Sequence, residues 1–187
     1  MSWTKKIYFL LVLGCFPIGI MAQAISVDDS QNVDQLVQAL TNNNSCITVY
    51  PATSSGATIK KSIAYFDKNG TDFPFSNGIV LSTWESQNSK GPYNPSFSNS
   101  VESWSGDSNM NSILGITSYN ATTLEFEFES ATNFLSFNYI FASNEYIRDY
   151  PCKYSDGLAI LIKDITTNSN YTNIATLPDG TPVSSKN

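Results

Sequence analysis

The sequence predicts a mainly β fold, a β-sandwich or jelly-roll-like domain with one short helix near its N-terminus. Residues 124–128 alternate apolar side chains with glutamates, and residues 135–141 place leucine, phenylalanine and tyrosine at every second position. Residues 158–162 are apolar throughout, which is typical of a central strand covered on both faces. The chain is rich in Ser, Asn, Thr, Tyr and Phe, a composition that favours strands and turns. We therefore expect the three runs to be core strands.

One helix is predicted over residues 33–40. Residues 29–32 offer N-capping side chains, and three asparagines at 42–44 end the pattern. The apolar residues recur at helical spacing, namely Val33, Leu36, Val37 and Leu40. We expect this helix to cover a face or an edge of the sheet.

Three shorter runs also have strand character, residues 45–50, 63–66 and 79–83, the last of them after an Asn-Gly turn signal. Residues 86–110 show no periodicity and predict a long loop, which in a compact domain is functional or mobile. Three glutamates alternate with the apolar residues near position 126, and we expect them to be the solvated face of a strand rather than a row of metal ligands.

Residues 1–22 have the pattern of a signal peptide. Two lysines precede an almost wholly apolar run, and the small residue Ala22 stands directly before Gln23. The run is shorter than the roughly 20 apolar residues of a membrane-spanning helix. We expect cleavage after Ala22, which leaves one domain over residues 23–187 and no transmembrane helix in the mature chain.

A lipoprotein signal is the alternative for the same segment. Residues 12–15, Val-Leu-Gly-Cys, resemble a lipoprotein box in which Cys15 would be acylated. The following residues 16–20 continue the apolar run, where a lipoprotein normally becomes polar. Cleavage after Ala22 is therefore the preferred interpretation.

The charge balance excludes several classes of partner. The full chain carries a net charge of −6, and loss of the two signal-peptide lysines leaves eight basic against sixteen acidic residues, a net charge of −8. Such an acidic exported chain has no electrostatic reason to bind nucleic acid or an anionic membrane.

Two cysteines, Cys46 and Cys152, remain after the signal peptide is removed. In an oxidising compartment an even pair is a candidate disulfide. Two buried free thiols are the alternative reading of the same pair.

The composition argues against an enzyme. The chain contains no histidine, which excludes Ser-His and Cys-His nucleophile pairs and histidine-ligated metals. A pair of carboxylates, Glu145 with Asp156 or with Asp149, is the remaining catalytic option, as in glycoside hydrolases. We predict no catalytic residues.

The loop between residues 141 and 158 is the candidate ligand site, because Asn144, Glu145, Asp149 and Asp156 concentrate polar groups beside two expected strands. Clustered carboxylates repel one another unless a cation, water or backbone donors intervene. Glu145 and Asp156 are the expected oxygen donors to calcium, the one cofactor that we consider. In the alternative, Glu145 caps a turn and Asp156 begins a strand.

A lectin-like site is the second option for this loop. Residues 155–159, Ser-Asp-Gly-Leu-Ala, resemble the Asp-Gly stretch with which legume-type lectins bind sugar hydroxyls. Aromatic rings that stack on sugars or pack in the core are available at Trp84, Tyr93, Trp104 and Tyr150.

The order of these motifs resembles the choice-of-anchor L domain. The matching stretches are residues 46–49, 63–66, 73–83, 106–107, 124–128 and 135–146, followed by Asp156 and residues 177–178. The 135–146 stretch, Leu-Ser-Phe-Asn-Tyr-Ile-Phe-Ala-Ser-Asn-Glu-Tyr, is the most extensive match, and the resemblance spans about residues 33–187.

The resemblance implies a bacterial exported, β-rich module of larger secreted or surface proteins, whose anchoring signals vary and include those of type IX secretion. It implies no reaction. Family members have an acidic residue where this chain has Asn144 and continue past the equivalent of residue 187, so we expect a domain incomplete at its C-terminus. We expect a non-catalytic adhesive or structural module, secreted or at the cell surface in association with the outer membrane. Its partner would be an extracellular glycan or protein, and a calcium-dependent or lectin-like module is the alternative.

Overall fold

The computed structural model describes residues 24–42, 44–56, 61–92, 94, 104–146 and 148–187. The strands are β1 Ser26–Asp28, β2 Ile47–Val49, β3 Thr53–Ser55, β4 Ile63–Asp67, β5 Asn77–Leu81, β6 Thr123–Glu125, β7 Phe128–Ser130, β8 Leu161–Ile162 and β9 Thr172–Asn173. The α-helices are α1 Val33–Thr41 and α2 Ser108–Leu114, and short 3-10 helices cover Ser86–Lys90 and Tyr150–Cys152. The strands pair in small antiparallel sheets. The predicted mainly β class is confirmed, and the sheets are compatible with a sandwich.

The core lies on the three-stranded sheet, in the order β1-β4-β5. Val27, Ala64 and Phe66 are buried at its centre. Phe66 and Phe73 meet edge to face, with ring centroids 5.4 Å apart. Partly buried apolar side chains close the cluster, namely Ile25, Phe73, Phe75 and Val80.

Helix α1 forms where the apolar spacing predicts it. The Asn32 side chain accepts a hydrogen bond from the Gln35 backbone N–H at 2.9 Å, and the Gln35 side chain accepts one from the Asn32 N–H at 2.9 Å. This reciprocal capping box satisfies two N-terminal donors. The helix ends at Thr41, and its C-cap Asn42 has the left-handed conformation, with a φ of 52°. Leu36 and Val37, each 1% exposed, fix the helix on the sheet.

Strands β2 and β3 run along β7 and β6 as one ladder with a bulge in it. Ile47 pairs with Ser130, whereas Thr53 pairs with Glu125, so the first strand has one extra residue between the two pairings. Pro51 lies at this point and has no N–H to donate, which explains why the pairing breaks there. The predicted strand 124–128 is therefore present, but the bulge divides it into β6 and β7.

The predicted core strand over residues 135–141 is wrong. None of these residues is in a β-strand, and residues 131–140 are all exposed. The period-two pattern is suited to a strand, but a strand also needs a neighbouring backbone, and the described part of the chain places none beside this one. The apolar pattern identified a surface segment, not the core.

The predicted strand 158–162 is correct only in part. Leu161 and Ile162 pair with β9, whereas Leu158 donates its backbone N–H to the Val183 carbonyl at 3.0 Å. The structure also contains a second α-helix where only one was predicted. This helix, α2, begins within the predicted 86–110 loop and extends past its end. Asp107 starts it by accepting a hydrogen bond from the Met110 N–H at 2.7 Å.

Candidate ligand-binding loop

The two carboxylates that the sequence selects, Glu145 and Asp156, meet in one hydrogen-bonded cluster. Glu145 Oε2 accepts from the Asp156 backbone N–H at 3.2 Å and from the Ser185 hydroxyl at 2.7 Å. Asp156 Oδ2 accepts from the Ser143 hydroxyl at 2.9 Å. Ser143 Oγ also accepts from the Glu145 N–H at 3.1 Å. We call these four residues, Ser143, Glu145, Asp156 and Ser185, the carboxylate cluster.

The cluster joins the candidate loop to the C-terminal end of the described chain. Ser185 is 3% exposed, and its hydroxyl also accepts from the Asp156 N–H at 3.0 Å. The Ser185 backbone N–H donates to the Asp156 carbonyl at 2.8 Å, and Gly157 and Ser184 form a β-bridge beside it. The acidic groups therefore act in the packing of two chain segments against each other.

Burial raises the pKa of the Asp156 carboxyl above its usual value of 3.8, and the nearby Glu145 charge raises this pKa further. The hydrogen bond from Ser143 acts in the opposite direction and lowers the pKa. Desolvation is the largest of the three causes. The ionised form of Asp156 is thus disfavoured in the folded protein.

This raised pKa predicts a pH-dependent loss of stability. Because the folded state holds the Asp156 proton more tightly than the unfolded state, its contribution is fully present below pH 3.8 and is lost as the pH rises through the raised value. Asp156→Asn, whose amide oxygen can still accept from Ser143, should not show this loss. Thermal melts across the acid range should therefore show the variant gaining on the wild type as the pH rises.

The control for the pH experiment is Asp149→Asn, which changes the net charge equally at an exposed position. Because it lies outside the carboxylate cluster, Asp149→Asn should not reproduce the gain of Asp156→Asn. Parallel profiles for the wild type and Asp156→Asn would contradict the assignment.

Asn144 and Asp149 do not join the cluster. Asn144 is exposed, and Asp149 Oδ2 forms an ion pair with Lys153 Nζ at 2.7 Å, in which both side chains are more than half exposed. An exposed i,i+4 pair of this kind contributes about 0.3–0.5 kcal/mol. Within the described ranges, no group of three or more His, Cys, Asp or Glu side chains is placed to hold a metal ion.

The sequence pattern did not indicate two members of the carboxylate cluster, Ser143 and Ser185. Ser143 lies beside the selected residues, but Ser185 follows Asp156 by 29 positions. A serine carries no distinguishing signal in a chain so rich in serine. Only the folded arrangement shows that its hydroxyl joins both carboxylate residues.

The aromatic residues considered for sugar stacking are dispersed. Trp104 is half-buried, and its Nε1–H donates to the Ala121 carbonyl at 2.9 Å, while Trp84 is also half-buried. Tyr150 packs edge to face on Tyr154, with centroids 5.9 Å apart. Tyr93 lies outside the described residues.

Cys46 and Cys152 are both free and exposed thiols in the structure, and their pairing in the exported protein stays a prediction. Cys46 directly precedes β2, and its carbonyl accepts from the Ala131 N–H at 2.9 Å, whereas Cys152 ends the short 3-10 helix of the candidate loop. The even number of cysteines gives a candidate pair, but it carries no information on the distance between the two sulfur atoms.

The glutamates of the alternating run lie on the solvated face, as expected. Glu125, Glu127 and Glu129 are all exposed. Tyr50 donates its hydroxyl to Glu129 at 2.9 Å, and Tyr171 donates to Glu125 at 3.3 Å. The row thus supports cross-strand contacts on the outer face of the ladder.

The choice-of-anchor L domain family model matches residues 25–187, and the chain belongs to this family. The family consists of modules of secreted or cell-surface proteins and is in general non-enzymatic. No curated protein and no solved structure matches the chain. Among the described residues, none of the helices has both the length and the apolar character needed to cross a membrane.

Proposed function

We propose that the chain is a structural, adhesive module of a secreted or surface-anchored bacterial protein. The carboxylate cluster carries this proposal. Its acidic groups, the strongest candidates for ligand chemistry in the sequence, accept hydrogen bonds from the protein's own backbone and hydroxyls. Groups engaged in this way hold two chain segments together, which supports a structural role in a surface module.

Export is the first part of the proposal to test. The signal-peptide pattern of residues 1–22, which lie outside the described residues, supports cleavage between Ala22 and Gln23. Sequencing of the exported protein should give Gln23 as its N-terminal residue. A lipidated Cys15 at the terminus would instead make the protein a membrane-anchored lipoprotein.

Adhesion is tested with the exported protein itself. Beads coated with it should remain on a polysaccharide or protein surface under flow that removes beads coated with albumin. The matched control is the same protein after heat denaturation, which distinguishes adhesion by the folded surface from nonspecific adsorption. Equal retention of native-protein and albumin beads would overturn the adhesive role.

A calcium-binding or lectin-like module is the second candidate. The observation that favours it is the meeting of two carboxylates, Glu145 and Asp156, with two hydroxyls, because hard oxygen atoms are the ligands that Ca²⁺ prefers. One oxygen of each carboxylate takes part in the hydrogen bonds described above. Burial and the Glu145 charge both raise the pKa of Asp156, and a calcium ion would offset the repulsion between the two carboxylates.

Calcium binding at the cluster predicts a stabilised wild type. A free concentration 100 times the dissociation constant should stabilise the fold by about 2.7 kcal/mol. Thermal melts in calcium and in chelator should therefore differ for the wild type and coincide for Asp156→Ala. Coincident wild-type melts would exclude calcium binding at the cluster. Absence of binding on a glycan array would exclude a lectin-like function.

A further inference from the structure

Residues 134–141 present apolar side chains to solvent and form no β-pairing with the described part of the chain. Phe134 is 78% exposed and Ile140 47%, on one face of the alternating pattern. Leu135, Phe137 and Tyr139 are exposed at 39–42% on the other face. An apolar stretch whose backbone forms no β-ladder can pair with a strand from another chain.

The pattern of this segment is nearly the same when it is read in either direction from Asn138. Phe137 and Tyr139 flank the centre, and Leu135 and Phe141 lie two positions further out. An antiparallel strand of the same sequence, centred on Asn138, would therefore place apolar side chains opposite apolar side chains along one whole face. The two Asn138 amides would face each other at the two-fold axis.

The charge distribution also favours an identical partner. The chain has a net charge of −6, so two copies repel each other over most of their surfaces. From residue 130 to residue 144 the sequence contains no charged side chain. Two copies can meet along this segment without placing like charges opposite each other.

We propose that residues 134–141 form a self-association strand through which two copies of the chain pair antiparallel about Asn138. The dimer is isologous, since each copy supplies the same strand to the same interface. Pairing satisfies the backbone groups along the facing edges of the two segments and brings the apolar side chains of one face into cross-strand contact. This inference does not depend on the proposed function.

The first test compares the exported chain with Asn138→Lys and with Asn170→Lys by analytical ultracentrifugation over a range of concentrations. The wild type should form dimers, and so should Asn170→Lys, which adds the same charge at an exposed position outside the segment. Asn138→Lys places two cations opposite each other and should raise the dimer dissociation constant about tenfold or more. A monomeric wild type at all concentrations, or an unaffected Asn138→Lys dimer, would overturn the proposal.

The second test fixes the register and does not require the lysine variant to fold. In a background that carries Cys46→Ser and Cys152→Ser, Asn138→Cys should form a covalent dimer under mild oxidation, because this position lies opposite itself. Ser136→Cys lies opposite residue 140 and should cross-link several-fold less. Equal cross-linking at both positions, or more at residue 136, would contradict pairing about Asn138. A strand from a different polypeptide as the occupant would leave both variants uncross-linked.

Discussion

Leu36→Ala should lower the free energy of unfolding by about 2–5 kcal/mol, the usual cost of deleting a fully buried leucine. Leu36 is 1% exposed, and helix α1 packs on β2, β4 and β5, so the cavity would open between the helix and the sheet. A small domain has only about 5–15 kcal/mol of total stability, so the loss would be large. Chemical denaturation followed by circular dichroism measures it.

The same helix supplies the matched control. Leu40 is 39% exposed, so Leu40→Ala removes the same atoms from a position that already contacts water. It should cost well under half as much as Leu36→Ala. Equal losses at the two positions would show that α1 does not pack as described.

Glu145→Ala should lower the free energy of unfolding by about 1.5–3 kcal/mol, the range for hydrogen bonds to a charged group. The substitution leaves the buried Ser185 hydroxyl and the Asp156 N–H without the Glu145 acceptor. Because Ser185 is 3% exposed, water cannot readily replace that acceptor. Urea denaturation of the variant and the wild type measures the difference.

Glu127→Ala is the control for this second experiment, since it removes a carboxylate from the exposed face of the ladder. Its stability should stay within about 0.5 kcal/mol of the wild type. A Glu145→Ala variant as stable as Glu127→Ala would mean that the carboxylate cluster does not hold the C-terminal segment.

The spacing of apolar residues in the sequence located one helix and several of the strands. Helix α1 and strand β4 lie where the apolar spacing placed them, and β2 lies within the predicted run 45–50. Strand β5 begins two residues before the predicted run 79–83, because Asn77 and Gly78, expected to form a turn, pair with Asp67 and Phe66 of β4. Strand β3, Thr53–Ser55, has no apolar residue and depends on pairing with β6. The 135–141 run shows the opposite case, in which a strand-like pattern has no partner among the described strands.

The candidate site was predictable only as far as charge and sequence proximity allow. Glu145 and Asp156 were selected because polar and chargeable groups concentrate between two expected strands, and the structure brings the two residues together. Asp149 was selected for the same reason, but it forms an exposed ion pair with Lys153, four residues further along the chain. Ser185 depends on a long-range chain reversal that no local pattern encodes.

The bonds between Ser185 and the candidate loop also determine how the C-terminal end of the described chain opens. The Gly157–Ser184 bridge and the Ser185 contacts hold this end, whereas the core around Phe66 lies on a different set of strands. We therefore expect local opening of the C-terminal end to cost less free energy than unfolding of the core.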